Sequence, residues 1–188
     1  MSGADTRPIV TGATGNLGRS VAAALATSYR IVGFDREAHD IGFPVHQIDF
    51  TADASIALAL RTCCDAYGSR IASVVHLAAY FDFTGEDYPL YQLVNVESTR
   101  RVVRAERQPF PSVILRLAEV YDEHPMVLTL AQQMARVYER DLQSHLYSGN
   151  PLVGQSALHR DDTLEAQRRC VDQRAVLPPD AVQASDRE

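Results

Sequence analysis

Pro8-Ile9-Val10-Thr11-Gly12-Ala13-Thr14-Gly15-Asn16-Leu17-Gly18 is a short apolar run that enters a turn with a glycine at every third position. The run reads as a buried strand. Leu17, Val21, Ala24, Leu25 and Ser28 then fall on one face at helical spacing, so the turn joins a strand to a helix. Gly12 and Gly15 allow the chain to turn tightly and bring backbone N–H groups close to a phosphate. Gly18 lets the helix approach the strand, and the helix N-terminus supplies partial positive charge. This is a seat for the pyrophosphate of a dinucleotide.

The segment that follows strengthens this reading. Tyr29-Arg30-Ile31-Val32-Gly33-Phe34-Asp35 is a second strand ending in a carboxylate, seventeen residues beyond Gly18. At that place a carboxylate accepts both hydroxyls of a ribose. It repels a 2′-phosphate and so favours NAD over NADP, a preference that the neighbouring Arg36 tempers.

Further along, Val45 to Ile48 is expected as a third strand and Ala54 to Ala66 as a helix with Ile56, Leu60 and Cys63 on one side. Ile71 to Leu77 is a fourth strand. An aromatic and acidic loop, Phe81 to Asp87, leads to a helix from Pro89 to about Glu106 with Leu93, Val96 and Val103 in its pattern. Ser112 to Leu117 is another strand, and Met126 to Tyr138 a long amphipathic helix. A short strand near His145 to Tyr147, a turn at Ser148 to Pro151 and a helix from Asp162 to about Ala175 complete the chain, with Pro178-Pro179 as a stop. Alternating strands and helices with near-continuous apolar strands imply an α/β, doubly wound parallel sheet of Rossmann type. The expected division is residues 1–140 as the nucleotide-binding domain and 141–188 as a small partial C-terminal lobe.

Composition narrows the function. The 188 residues are 46% hydrophobic and 22% charged, which is globular. A net charge of −6, with arginines scattered among carboxylates, argues against a nucleic-acid surface. The polar start and the lack of an eighteen-residue apolar run lead to the expectation of a cytoplasmic protein without a membrane anchor. Cys63, Cys64 and Cys170 match neither a disulfide framework nor zinc spacing, and are expected as reduced thiols. The histidines at 39, 46, 76, 124, 145 and 159 form no pair at metal-binding helical spacing, so no metal is expected.

These residues resemble the NAD-dependent epimerase/dehydratase group of the extended short-chain dehydrogenase/reductases. Thr11 to Gly18 matches its nucleotide loop, including Gly12, Thr14, Gly15, Asn16, Leu17 and Gly18, and Asp35 matches its ribose carboxylate. Asp49, in Gln47-Ile48-Asp49-Phe50, matches an aspartate that contacts the adenine. His76-Leu77-Ala78-Ala79 matches the motif where small side chains let the cofactor lie close. Asn95-Val96-Glu97-Ser98-Thr99 resembles Asn-Val-x-Gly-Thr, with Ser98 in place of glycine. Val113 to Leu117 with Val120-Tyr121 resembles a later strand and its ending, and His159-Arg160-Asp161-Asp162 resembles a helix start. The resemblance implies NAD as cofactor, with residues Gly12 to Gly18, Asp35, Arg36, Asp49, Phe50, Leu77, Ala78, Ala79 and Asn95 around it. It further implies a nucleotide-sugar or small carbonyl substrate.

One part of the pattern is missing. In that family a strand bearing a catalytic serine and a helix bearing Tyr-x-x-x-Lys lie between the Asn-Val helix and the Val-Ile-Leu-Arg strand. Here only Arg100 to Ser112 intervene, and all 18 basic residues of the Lys+Arg count are arginine. None of the eight tyrosines has even an arginine four residues later. A phenol with a pKa near about 10 needs a neighbouring cation before it can take a substrate proton near neutrality. The resemblance without this pair implies an NAD(P)-binding protein that is catalytically impaired, with no catalytic residue assigned. It also implies a sheet one strand narrower, ordered 3-2-1-4 and followed by the Val113 strand. The polar residues Arg160, Thr163 and Gln167, where the family's helix start is apolar, are expected to weaken that helix's docking. Two alternatives stay open: an active oxidoreductase or epimerase using Tyr80, Tyr121 or His124 with Asn95 assisting, and a truncated relic that works as a homo-oligomer or scaffold.

Overall fold

A computed structural model describes residues 7–39, 41–81, 88–105, 113–115, 117, 119–122, 135–136, 138–140, 157–176 and 183–184. The chain forms two compact units, residues 1–112 with 167–181, and residues 113–166 with 182–188.

The first unit is built on four parallel strands: β1 (Arg7–Thr11), β2 (Val32–Asp35), β3 (Val45–Gln47) and β4 (Ile71–His76). Their order is β3-β2-β1-β4. β1 is flanked on both sides, with Thr11 in register with Phe34 on one neighbour and His76 on the other. Helix α1 (Asn16–Ala26) follows β1, and α2 (Asp53–Tyr67) follows β3. After β4 a helical run opens at Pro89, passes through a π-helical stretch (Tyr91–Glu97) and continues as α3 (Ser98–Ala105).

Ile9, Val32 and Phe34 of the strands cluster with Ile56, Ala59 and Cys63 of α2, and Val102 of α3 packs against the same cluster. Val10, Val21, Ala22 and Leu25 are buried outside it, as a sheet covered on both faces requires. Cys63 sits in this core with its thiol pushed up to about 11 by burial, which leaves it an inert space-filler.

The second unit contains two short parallel pairs. β5 (Ile114–Leu115) pairs with β8 (Gln183–Ala184), and β6 (Glu119–Tyr121) pairs with β7 (Ala157–His159). Helix α4 (Arg160–Asp172) begins directly after β7 and ends in the first unit. Arg160 forms an ion pair with Asp122 just past β6, and the rings of Tyr121 and His159 meet edge to face at 5.3 Å.

Two expectations change. The strand after Val113 does not extend the main sheet: among the described residues β4 is an edge, and Ile114–Leu115 takes Gln183–Ala184 as its partner. The apolar positions Leu93, Val96 and Val103 of the helical run are exposed, so its helical period is real while that face is not core. Of Arg160, Thr163 and Gln167, expected to weaken the docking of their helix, Thr163 and Gln167 are buried; Thr163 donates its hydroxyl to the His159 carbonyl at 3.3 Å, while the Gln167 Oε1 has no hydrogen-bond partner among the described residues. Of the helix expected from Met126 to Tyr138, only Ala135, Arg136 and Tyr138 are described, helical and exposed. The features expected at His145 to Pro151 and at Pro178-Pro179, together with His124, lie outside the described residues.

Candidate functional site

In an open parallel sheet, ligands enter at the carboxyl ends of the strands where the order reverses, here between β1 and β4. The glycine turn stands at that place. Gly12 has φ +67°, a left-handed conformation, and a Cβ there would lie 2.9 Å from the Ala78 nitrogen and 3.0 Å from the Leu77 carbonyl. Only a bare backbone fits between the two strand ends. A Cβ on Gly18 would fall 2.0 Å from the Gly12 carbonyl oxygen, so α1 tucks directly beneath the turn. Gly15 begins α1 with no side-chain cap, and the first turn holds no acidic residue. That leaves the positive end of the helix available to an anion.

Asp35 stands across from this turn. Its Oδ2 accepts the N–H and the hydroxyl of Thr14, each at 2.8 Å, and its Oδ1 accepts the N–H of Arg36 at 2.7 Å. The carboxylate therefore ties the end of β2 to the glycine turn. Asp49 lies exposed past β3, where the hydroxyl and N–H of Thr51 bind one oxygen at 2.7 and 2.8 Å. The Thr51 hydroxyl, then its N–H, and at longer range the charge of Arg101 hold the Asp49 carboxyl below its usual range. Phe50, its neighbour, is turned into the core, edge to face with His76 at 5.7 Å.

Thr11 and His76 form a network that the sequence reading missed. The Thr11 oxygen accepts the N–H groups of Leu77 at 3.0 Å and Ala78 at 3.1 Å. Both lone pairs are then occupied, so its proton goes to Nδ1 of His76 at 2.8 Å. His76 is thereby fixed with its own proton on Nε2, and burial pulls its pKa down. Nε2 is buried with no hydrogen-bond partner. One threonine thus fastens β1 to the turn after β4 and shapes the wall formed by Leu77, Ala78 and Ala79. The signal was a hydroxyl residue ending β1 before Gly12.

Asn95 holds the next stretch. Its Oδ1 accepts the Tyr80 N–H at 2.7 Å and its Nδ2 donates to the Tyr80 carbonyl at 2.9 Å. Its amide therefore acts on the loop after β4. Ser98, where the resemblance has glycine, is fully buried and donates its hydroxyl to the Val94 carbonyl. Among the described residues no group of three or more His, Cys, Asp or Glu side chains is placed to hold a metal ion, and no helix is long and apolar enough to cross a membrane.

The sequence model described as the NAD dependent epimerase/dehydratase family matches residues 9–114, the span that holds the turn, Asp35, Asp49, the Leu77–Ala79 wall and Asn95. The chain belongs to this family. No curated protein matches the sequence. Among solved structures, uronate dehydrogenase from Agrobacterium tumefaciens is 17% identical with a TM-score of 0.55, the match covering 96% of this chain and 77% of that one. ADP-L-glycero-D-manno-heptose-6-epimerase from Helicobacter pylori is 12% identical with a TM-score of 0.61, covering 92% and 75%. The Bordetella bronchiseptica enzyme WbmG, in complex with NAD and UDP, is 17% identical with a TM-score of 0.60, covering 88% and 68%. These likenesses are likenesses of fold, and they agree with the four-stranded parallel sheet of this epimerase/dehydratase family member.

Proposed function

We propose that this chain holds NAD across the carboxyl ends of β1 and β4 and does so without the acid/base turnover of its family. The observation that carries the first half is the contact of Gly12 with the Leu77–Ala78 main chain, opposite an uncapped helix N-terminus and a strand-end carboxylate. In this reading the pyrophosphate lies on the Gly12 to Gly18 turn and the first turn of α1, where Asn16 and Leu17 stand. The adenosine ribose lies at Asp35, whose charge disfavours a 2′-phosphate and makes NAD the preferred dinucleotide over NADP. Asp49 borders the adenine, and Leu77 to Ala79 lie along the nicotinamide half. Bound NAD supplies a hydride acceptor.

The second half rests on chemistry that the chain lacks. With arginine as its only strongly basic side chain, it offers no ammonium to lower a tyrosine pKa. Arginine is a poor substitute because of its planar, permanently charged group. The family resemblance implies a nucleotide-sugar or small carbonyl compound as second occupant, and the complex of the Bordetella neighbour with NAD and UDP favours the nucleotide-linked one.

Calorimetric titration with NAD, NADH and NADP tests the reading. NAD binding that collapses in Gly15→Val and weakens in Asp35→Ala supports it, and equal affinity in all three proteins refutes it. Hydride exchange between NADH and sugar nucleotides or small ketones should stay at the uncatalysed rate. Sustained turnover would overturn the second half alone.

A further inference from the structure

Packing between the sheet and helices α2 and α3 leaves a cavity of about 20 Å³. Its wall is made by Ile9, Phe34 and Val74 of the strands, Ile56 and Leu60 of α2 and Val102 of α3, with Thr11 at one end. We propose that this cavity is a dry binding site for one small nonpolar molecule, of the size and chemistry of xenon or dioxygen. The proposal does not depend on the dinucleotide reading, because the wall is core side chains rather than the glycine turn.

Size is the first argument. A single water needs roughly 10–15 Å³ of such space, so room is not what keeps water out. The same room admits one atom or a diatomic molecule and nothing with a ring or a chain.

Chemistry is the second. Thr11 brings the one hydroxyl of the wall, and it is already committed: the oxygen accepts from the N–H groups of Leu77 and Ala78, and the proton goes to His76 Nδ1. Every other side chain of the wall is a hydrocarbon. The main chain of β1 behind it is paired with β2 on one side and β4 on the other. A buried water holds its place with about three hydrogen bonds, and cavities that offer none stay dry and take xenon. Atoms that line a void have no dispersion partner on that side, and a polarisable guest supplies one without giving up hydrogen bonds to water.

Access is the third. Ile9, Phe34 and Ile56 are buried, whereas Leu60, Val74 and Val102 are only partly so, which makes the cavity deep under β1 and β2 and shallow beside the helices. Arg101, next to Val102, ties α3 to the start of α2 through Asp53 at 3.1 Å. A guest therefore passes the side chains of Leu60 and Val102 by their rotation, with both helices in place.

Methyl NMR of the full chain under xenon gas, with methanol as a small guest that must bring a hydroxyl, tests the proposal. Xenon should shift the methyl signals of Ile9, Ile56, Leu60 and Val102 saturably and leave Val21 and Leu25, buried outside this cluster, in place. Methanol should move none of them, since its hydroxyl would go unpaired. Val74→Ile and Val102→Ile each add a methyl group at the wall. At least one of them should abolish the xenon shifts while holding or raising the melting midpoint. Val21→Ile, in a fully buried position away from the cavity, should lower the midpoint by overpacking and leave the xenon shifts intact. Absence of saturable shifts at the wall, equal shifts at Val21 and Leu25, or methanol shifts matching those of xenon would overturn the proposal. So would xenon shifts that survive in both filled variants, or a loss of stability in both as large as that of Val21→Ile.

Discussion

Asp35 and Thr14 are joined twice, the Oδ2 of the one accepting both the N–H and the hydroxyl of the other at 2.8 Å. The carboxylate at the end of β2 therefore orders the glycine turn, in addition to the ribose contact proposed for it. With Arg36 N–H on Oδ1, three of its roughly four lone-pair positions are occupied. In the proposed NAD complex the ribose shares these oxygens with the turn, which would couple ribose binding to the order of the turn. Asp35→Ala should weaken NAD binding about tenfold to a hundredfold, and Thr14→Val about threefold to tenfold. Because the two residues act through one contact, the double variant should fall short of the product by about 1 kcal/mol. Calorimetry of the four proteins measures this, and strict additivity would show that Asp35 serves the ribose alone.

The Gly18 position is a packing constraint that can be separated from cofactor chemistry. A methyl group there would sit 2.0 Å from the Gly12 carbonyl oxygen, a main-chain atom that cannot swing aside. Gly18→Ala should cost about 3 kcal/mol of stability through overpacking. Gly42 also has a positive φ, +86°, but its Cβ would meet open space. Gly42→Ala should therefore cost only the left-handed strain, about 1–2 kcal/mol. Denaturant unfolding of the two variants distinguishes the cases, and equal losses would mean that α1 can withdraw from the turn.

Tyr29 connects the end of α1 to the end of α4. Its hydroxyl donates to Asp172 at 2.8 Å and accepts from Arg174 at 3.3 Å, while the Arg174 guanidinium lies 5.7 Å from its ring. Burial, then the hydrogen bond to Asp172, raises the phenol pKa. The pairing is largely exposed, so Tyr29→Phe should cost less than about 1 kcal/mol. Asp172→Ala should cost more than Tyr29→Phe, since Arg168 loses its 2.8 Å partner as well. A loss of several kcal/mol on Tyr29→Phe in urea unfolding would refute this weak-tether view.

What the sequence revealed was mostly local. The strand, the glycine turn, α1 and Asp35 all follow from spacing within thirty residues, and the structure places them at one crevice. Long-range pairings were not legible. Ile114–Leu115 finds Gln183–Ala184, and Glu119–Tyr121 finds Ala157–His159, without any turn to announce them, as parallel pairs need long connections. Periodicity gave the helix around Leu93, Val96 and Val103 but carries no information on which face meets the sheet; Val102 does. Likewise the motif suggests Asn95 for the cofactor site, but its grip on Tyr80 depends on where the turn after β4 ends, which no local spacing announces.

His76 gives the wall of the crevice a pH dependence. Folded, its ring is held neutral by burial with Nδ1 accepting from Thr11; unfolded, it titrates at the ordinary value of 6.5. Between the lowered folded pKa and 6.5 the unfolded chain binds a proton that the folded chain does not. Stability is therefore full above this window and falls as pH drops through it, by up to about 1.4 kcal/mol per pH unit. Protonation of the folded chain removes the acceptor for the Thr11 hydroxyl, so the Leu77–Ala78 wall loosens and NAD affinity falls only as pH drops through the lowered folded pKa, at lower pH than the loss of stability begins. His76→Asn keeps an acceptor oxygen for Thr11 without a titrating group. Melting midpoints from pH 7.5 down to about pH 5 should slope downward in the wild type and flatten in the variant, and wild-type NAD affinity should begin to fall at lower pH than the midpoints do. Parallel slopes in both proteins would assign the acid sensitivity to other groups and leave His76 a purely packing role.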